Sequence, residues 1–283
     1  MITNALEITG LTKEYRDFKL DGLNLTLPVG CILGLIGENG AGKSTTIKLV
    51  LDMIKRDGGS VKILGRDNSK EIRLIKEDVG TVFDNVGIPD CLTTRQIGKI
   101  MRGTFRNWNA GDYDALLKRL DVPSGKPFGK LSRGNKMKVG LAVAMSHNAK
   151  LLLLDEATSG LDPLVRDDVL DILNDFTRDE NHSVLLSSHI VSDLEKICDY
   201  IAFLHKGKLV LFEEKDVLLS EYGMIHCTEQ RLSELDPTAV ICKKTTPYGA
   251  EAIVKRNSVP NGTELSPISI EELFVQTAKE ERV

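Results

Sequence analysis

Two short stretches carry residue types whose spacing could do chemistry. Gly37 to Thr45 reads GENGAGKST, a G-x-x-x-x-G-K-[ST] pattern. Glycines let backbone wrap closely around phosphates, so that successive N–H groups point inward, and a following helix N-terminus adds partial positive charge. Lys43 then reaches the β- and γ-phosphates, and the Ser44 hydroxyl suits Mg²⁺. The backbone of Gly37, Asn39, Gly40, Ala41 and Gly42 would cradle the phosphates, with Lys43, Ser44 and Thr45 opening the helix. The second stretch, LLLLDEATSGLDP, spans 151–163 and places Asp155 and Glu156 at the end of an apolar run. Taken alone, this run is equally a buried strand that ends in acids. Beside a phosphate cradle, Asp155 is placed to hold Mg²⁺ and Glu156 to accept a proton from water or to orient it.

These residues need elements to position them. CILGLIG (31–37) reads as a buried strand, and the helix opening near Lys43 has apolar positions at Ile47, Val50/Leu51 and Ile54. LLLLD (151–155) and SVLLSS (183–188) read as further buried strands. A helix is expected from Pro163, with Asp162 as its N-cap. IVSDLEKIC (190–198) reads as a short amphipathic helix, and YIAFLHKGKLVLF (200–212) as a hairpin turning at Lys206-Gly207. Alternating strands and helices predict an α/β fold with a mainly parallel, covered sheet. Ahead of Cys31, LEITGL and LDGLNLTLPVG predict an added antiparallel sheet. Residues 86–147 are expected as a helical insertion, and the expected domains are 1–215 and a small α+β accessory region, 216–283.

Composition narrows the class. The 283 residues carry a formal net charge of -4, with 41% hydrophobic and 28% charged residues. No basic stretch points to nucleic acid. No segment approaches the ~20 apolar residues that span a bilayer, and the N-terminal residues do not read as a signal peptide. The five cysteines (31, 91, 198, 227 and 242) form no CxxC pair and are expected as reduced thiols.

LSRGNK (131–136), ahead of a helix, resembles the LSGGQ signature of ABC-type ATPases: Leu131, Ser132 and Gly134 match, while Arg133 and Asn135 replace glycine and glutamine. The other motifs of that family follow in its order. They are Walker A (37–45), signature, Walker B (151–156), a D-loop, SGLD (159–162), and a switch histidine, His189. The resemblance spans about residues 3–215. FRNWN (105–109), the altered signature and ISIEELFVQ (268–276) are similar to the narrower group of ATP-binding subunits of bacterial ABC-2-type exporters linked to antimicrobial-peptide export or resistance.

The resemblance implies a P-loop core with an ABC-type antiparallel β subdomain, and two ATP-binding subunits closing head to tail around ATP. Each ATP would meet Walker A of one subunit and Ser132 and Gly134 of the other. His189 would hold the γ-phosphate and align Glu156 and water, Asp162 would link the two sites, and Tyr15 would stack on adenine. Each has a plainer reading: Ser132 and Asp162 as helix caps, His189 as the residue before its helix, and Tyr15 and Trp108 as packing. Asp84 falls where the family has its Q-loop glutamine, and is expected near Mg²⁺ or water. The implied partners are an integral membrane permease on another polypeptide and a second ATP-binding subunit, the same chain or a paralogue, at the inner face of the cell membrane. No nucleic acid is expected. The alternatives are a soluble ABC ATPase on nucleic acid or ribosomes and a non-hydrolysing regulatory subunit.

Overall fold

The computed structural model describes residues 3–246, 249–260 and 263–280. The chain divides into two compact units, 1–212 and 213–283.

The first unit is built on a six-stranded sheet in the order β10-β9-β3-β8-β7-β6. These strands are β3 (Ile32–Ile36), β6 (Val79–Val82), β7 (Leu151–Asp155), β8 (Ser183–Ser188), β9 (Tyr200–His205) and β10 (Lys208–Glu214). β3 pairs in parallel with both β8 and β9, and β7 with both β6 and β8. Every residue of β3, β7 and β8 is buried. That is why these runs are continuously apolar rather than alternating. Lys206 and Gly207, both at positive φ, turn the expected hairpin between β9 and β10.

A second sheet, antiparallel, runs β2-β1-β4-β5, with β1 (Asn4–Glu14), β2 (Lys19–Pro28), β4 (Gly58–Ile63) and β5 (Arg66–Asp67). Here period-two burial returns, with Leu23, Leu25 and Leu27 of β2 inward. One apolar core joins both sheets through Leu6, Leu25, Val61, Leu33 and Leu153, with Ile47 and Val50 of α1 (Lys43–Val50). α1 ends at Val50 rather than continuing to Ile54. Asp52 turns the chain at positive φ, and the buried Asn68 amide donates to the Leu49 and Val50 carbonyls at 2.9 Å each. Those are the acceptors that a helix end leaves unpaired.

The helical layer comprises α3 (Thr94–Thr104), α4 (Ala110–Arg119) and α5 (Arg133–Met145), while α2 (Asn68–Asp78) precedes β6. Its core takes Ile97, Tyr113, Phe128, Leu131, Val139 and Ala142. Trp108 packs against this core, 5.1 Å from the Tyr113 ring, so packing accounts for its place. α6 (Pro163–Phe176) and α7 (Val191–Ile197) complete the unit.

The second unit has a three-stranded antiparallel sheet, order β11-β13-β12, from β11 (Tyr222–Cys227), β12 (Val240–Thr246) and β13 (Gly249–Lys255). With it go α8 (Lys215–Glu221), α9 (Glu229–Ser233) and α10 (Ile270–Glu280). Ile225, Ala252 and Val254 form its small core. No described helix is long and apolar enough to cross a membrane.

Candidate functional site

The cradle lies between the C-terminal end of β3 and the first turn of α1. Open α/β sheets bind ligands at that end. A concave pocket there is lined by Asn39, Gly40, Gly42, Lys43, Ser44 and Thr45 of the loop, together with Glu38, Asp17, Phe18 and Glu156. Two glycines are required by space. A Cβ on Gly37 would meet the Leu204 carbonyl oxygen at 2.5 Å, and one on Gly42, at φ +113, would meet Phe18 Cζ at 2.8 Å. Ala41 is buried, and its carbonyl accepts from the Gly207 amide at 3.0 Å, which fastens the loop to the β9–β10 turn.

Lys43 is 5% exposed. Its Nζ donates to the Gly37 carbonyl at 2.7 Å and lies 3.1 Å from Glu156 Oε1. The other carboxylate oxygen, Oε2, accepts from His189 Nδ1–H at 2.7 Å. Glu156 therefore bridges the cradle lysine and His189. This hydrogen bond fixes the ring, leaving His189 Nε2 as the other functional nitrogen. Glu156 itself has φ 55, a left-handed conformation that a non-glycine residue holds at a cost. Its amide is secured by the Ser187 carbonyl at 3.1 Å and the Ser187 hydroxyl at 3.2 Å.

Asp155 is buried at the end of β7, and its Oδ1 accepts from Ser187 Oγ–H at 2.6 Å. The buried Ser187 thus holds both acids at once. Sequence reasoning passed over it, because a serine near the end of an apolar strand carries no motif. The described residues contain no group of three His, Cys, Asp or Glu placed to hold a metal. A Ser44 hydroxyl and an Asp155 carboxylate with phosphate and water is nonetheless the donor set that Mg²⁺ accepts.

Three of the expected site residues do not line the cradle. Asp84 does not line the cradle: its carboxylate pairs with the Arg133 guanidinium and borders a separate groove with Val86, Ile88 and Phe128. A cation at bonding distance outweighs placement beside a polyphosphate of like charge. Asp162 stands at the N-cap position of α6, but its side chain makes no capping hydrogen bond. Tyr15 remains 45% exposed beside Phe18, with ring centroids 6.3 Å apart, while Asp17 and Phe18 reach the cradle instead. The Tyr15 amide donates to the Phe18 carbonyl at 2.8 Å, closing the turn that carries both rings.

Ser132 caps α5, its Oγ accepting from the Asn135 amide at 3.3 Å. Gly134 packs against α6, where a Cβ would lie 3.2 Å from Val165 Cγ1. Neither residue lines the cradle of its own chain.

The family model described as ABC transporter matches residues 20–159. The bacitracin transport ATP-binding protein BcrA of Bacillus licheniformis is 34% identical over 213 residues, covering 74% of this chain and 69% of that protein. The lantibiotic transport ATP-binding protein SrtF of Streptococcus pyogenes is 31% identical over 215 residues, covering 75% and 91%. Among solved structures, the dimeric post-hydrolysis state of the ATP-binding cassette MJ0796, bound to ADP and Pi, superposes with a TM-score of 0.67 at 21% identity, covering 74% and 98%. That likeness shows the fold.

Proposed function

The chain belongs to the ABC transporter family of ATP-binding subunits, and from that premise we propose how its residues bind and hydrolyse ATP and what this drives. The observation that carries the reading is the position of Glu156 between Lys43 and His189. The backbone of Gly37, Asn39, Gly40, Ala41 and Gly42, with Lys43, Ser44 and Thr45, holds the ATP phosphates. Phe18 and Tyr15 bound the adenine side. When phosphates arrive, Lys43 turns to them and Glu156 is released to act on water as general base. His189 steadies the γ-phosphate through its second ring nitrogen. Ser44 and Asp155 would hold Mg²⁺, which neutralises charge building on the phosphates.

Ser132 and Gly134 face the ATP of a second ATP-binding subunit, a twin or a paralogue, and Asp162, with no cap to make, connects the two sites. ATP closes the pair and hydrolysis reopens it, a switch held by the γ-phosphate. The partner that moves is a membrane-embedded permease, which places this chain on the inner face of the cell membrane. The names of BcrA and SrtF support peptide antibiotics or similar amphipathic compounds as cargo. To test this, the chain is reconstituted with its membrane subunit in vesicles, and ATP turnover is followed with bacitracin or a lanthionine peptide added. Peptide-stimulated turnover is expected. Turnover indifferent to both peptides contradicts the cargo.

A further inference from the structure

Asp84 follows β6, and Arg133 is the first residue of α5, between Ser132 and Gly134. Their carboxylate and guanidinium form an ion pair. The same guanidinium lies over the turn that follows Glu156: a Cβ on Gly160 would sit 2.6 Å from Arg133 Nη1 and 3.0 Å from its Cζ. Gly160 has φ +65, so its lack of a side chain serves both the turn and the arginine. Three segments therefore meet on one side chain: the loop after β6, the start of α5 and the 156–162 turn.

Both partners are about half exposed, at 59% for Asp84 and 51% for Arg133. Exposed pairs add little to stability. A planar guanidinium does fix orientation, through directed charge-assisted hydrogen bonds.

We infer that Asp84 and Arg133 are a matched pair of positioning residues. The pair holds Ser132 and Gly134 in register with the 156–162 turn, and so shapes the surface offered to the second subunit's ATP. A displacement of the loop after β6 reaches that surface through the pair. The inference rests on the proposed reading that Ser132 and Gly134 act on the partner's nucleotide.

The test is a charge-exchange cycle of Asp84→Asn, Arg133→Gln and the double variant Asp84→Arg with Arg133→Glu. Amide hydrogen exchange is read over 83–88, 131–136 and 157–162, together with kcat and KM for ATP. Each single variant should speed exchange in the other residue's segment. It should also lower kcat about fivefold or more, with KM within about twofold because the cradle is untouched. The exchanged pair should restore both. If Asp84→Asn leaves exchange over 131–136 unchanged, or if the double variant is no better than the singles, the inference is overturned. The exchange measurement needs no turnover, so an inactive wild type would count against the proposed function and leave the exchange data to decide the pair.

Discussion

The Lys43 ammonium lies 3.1 Å from one carboxylate oxygen of Glu156. A residue of the 37–45 loop and the residue just past a strand two places away in the sheet therefore share one charge pair, with both side chains largely shielded from solvent. The pair explains how the two adjacent acids divide. Asp155 is turned to Ser187, whereas Glu156 faces the cradle.

Lys43→Ala should remove the cation proposed to meet the phosphates and leave Glu156 with His189 as its remaining partner. Steady-state ATP hydrolysis is expected to fall by about 10²-fold or more, the scale of losing one preorganised charge contact. A rate within tenfold of wild type would show that the lysine is dispensable.

Gly42→Ala tests the cradle's shape. The residue has φ +113, and a Cβ would press on Phe18 at 2.8 Å. The left-handed conformation alone costs about 1–2 kcal/mol. Thermal melting should show a lower midpoint and isothermal titration weaker ATP binding. Adding Phe18→Ala should recover part of the binding loss by giving the methyl room.

Chelation with EDTA should abolish turnover and preserve the fold. Ser44 and Asp155 offer too few donors for a tightly held structural ion, but enough for one that arrives with the phosphates. The expected loss of rate is at least about 10²-fold, with an unchanged circular dichroism spectrum. Full activity in EDTA would rule out the metal role of Asp155.

How much of this was legible follows from where each signal resides. The strands 32–36, 151–155 and 183–188 were readable because full burial leaves continuous apolar runs. The strand–turn–helix at 32–50 was readable because its close turn needs glycine at fixed spacing, at Gly37 and Gly42. Asp84 was not, because its partner Arg133 lies 49 residues along the chain. Ser187 escaped for the same reason: its partners on β7 meet it only when the sheet forms. The early end of α1 depends on Asn68, again a contact made in three dimensions.

A pH dependence of stability should arise at His147. It is 1% exposed, stacked 4.0 Å from the Phe105 ring, and donates from Nδ1 to the Glu77 carbonyl. Burial holds its pKa below the ordinary 6.5, against the raising effect of the hydrogen bond. The neutral ring is favoured on folding, so its contribution is complete above pH 6.5 and is lost as pH falls through the lower folded value. One proton gives at most about 1.4 kcal/mol per pH unit. His147→Phe keeps the stacking and should flatten the fall in melting temperature between pH 6.5 and 5. An unchanged slope would place the titration elsewhere.

The most direct measurement is size-exclusion chromatography of Glu156→Gln with and without ATP, beside the hydrolysis rates of both proteins. The amide keeps the size of the side chain and removes the carboxylate proposed to act on water. The account predicts an ATP-dependent dimer for the variant, hydrolysis by wild type, and a rate at least about 10²-fold lower for the variant. A variant that stays monomeric with ATP, or hydrolyses it at the wild-type rate, would contradict the assignment of Glu156.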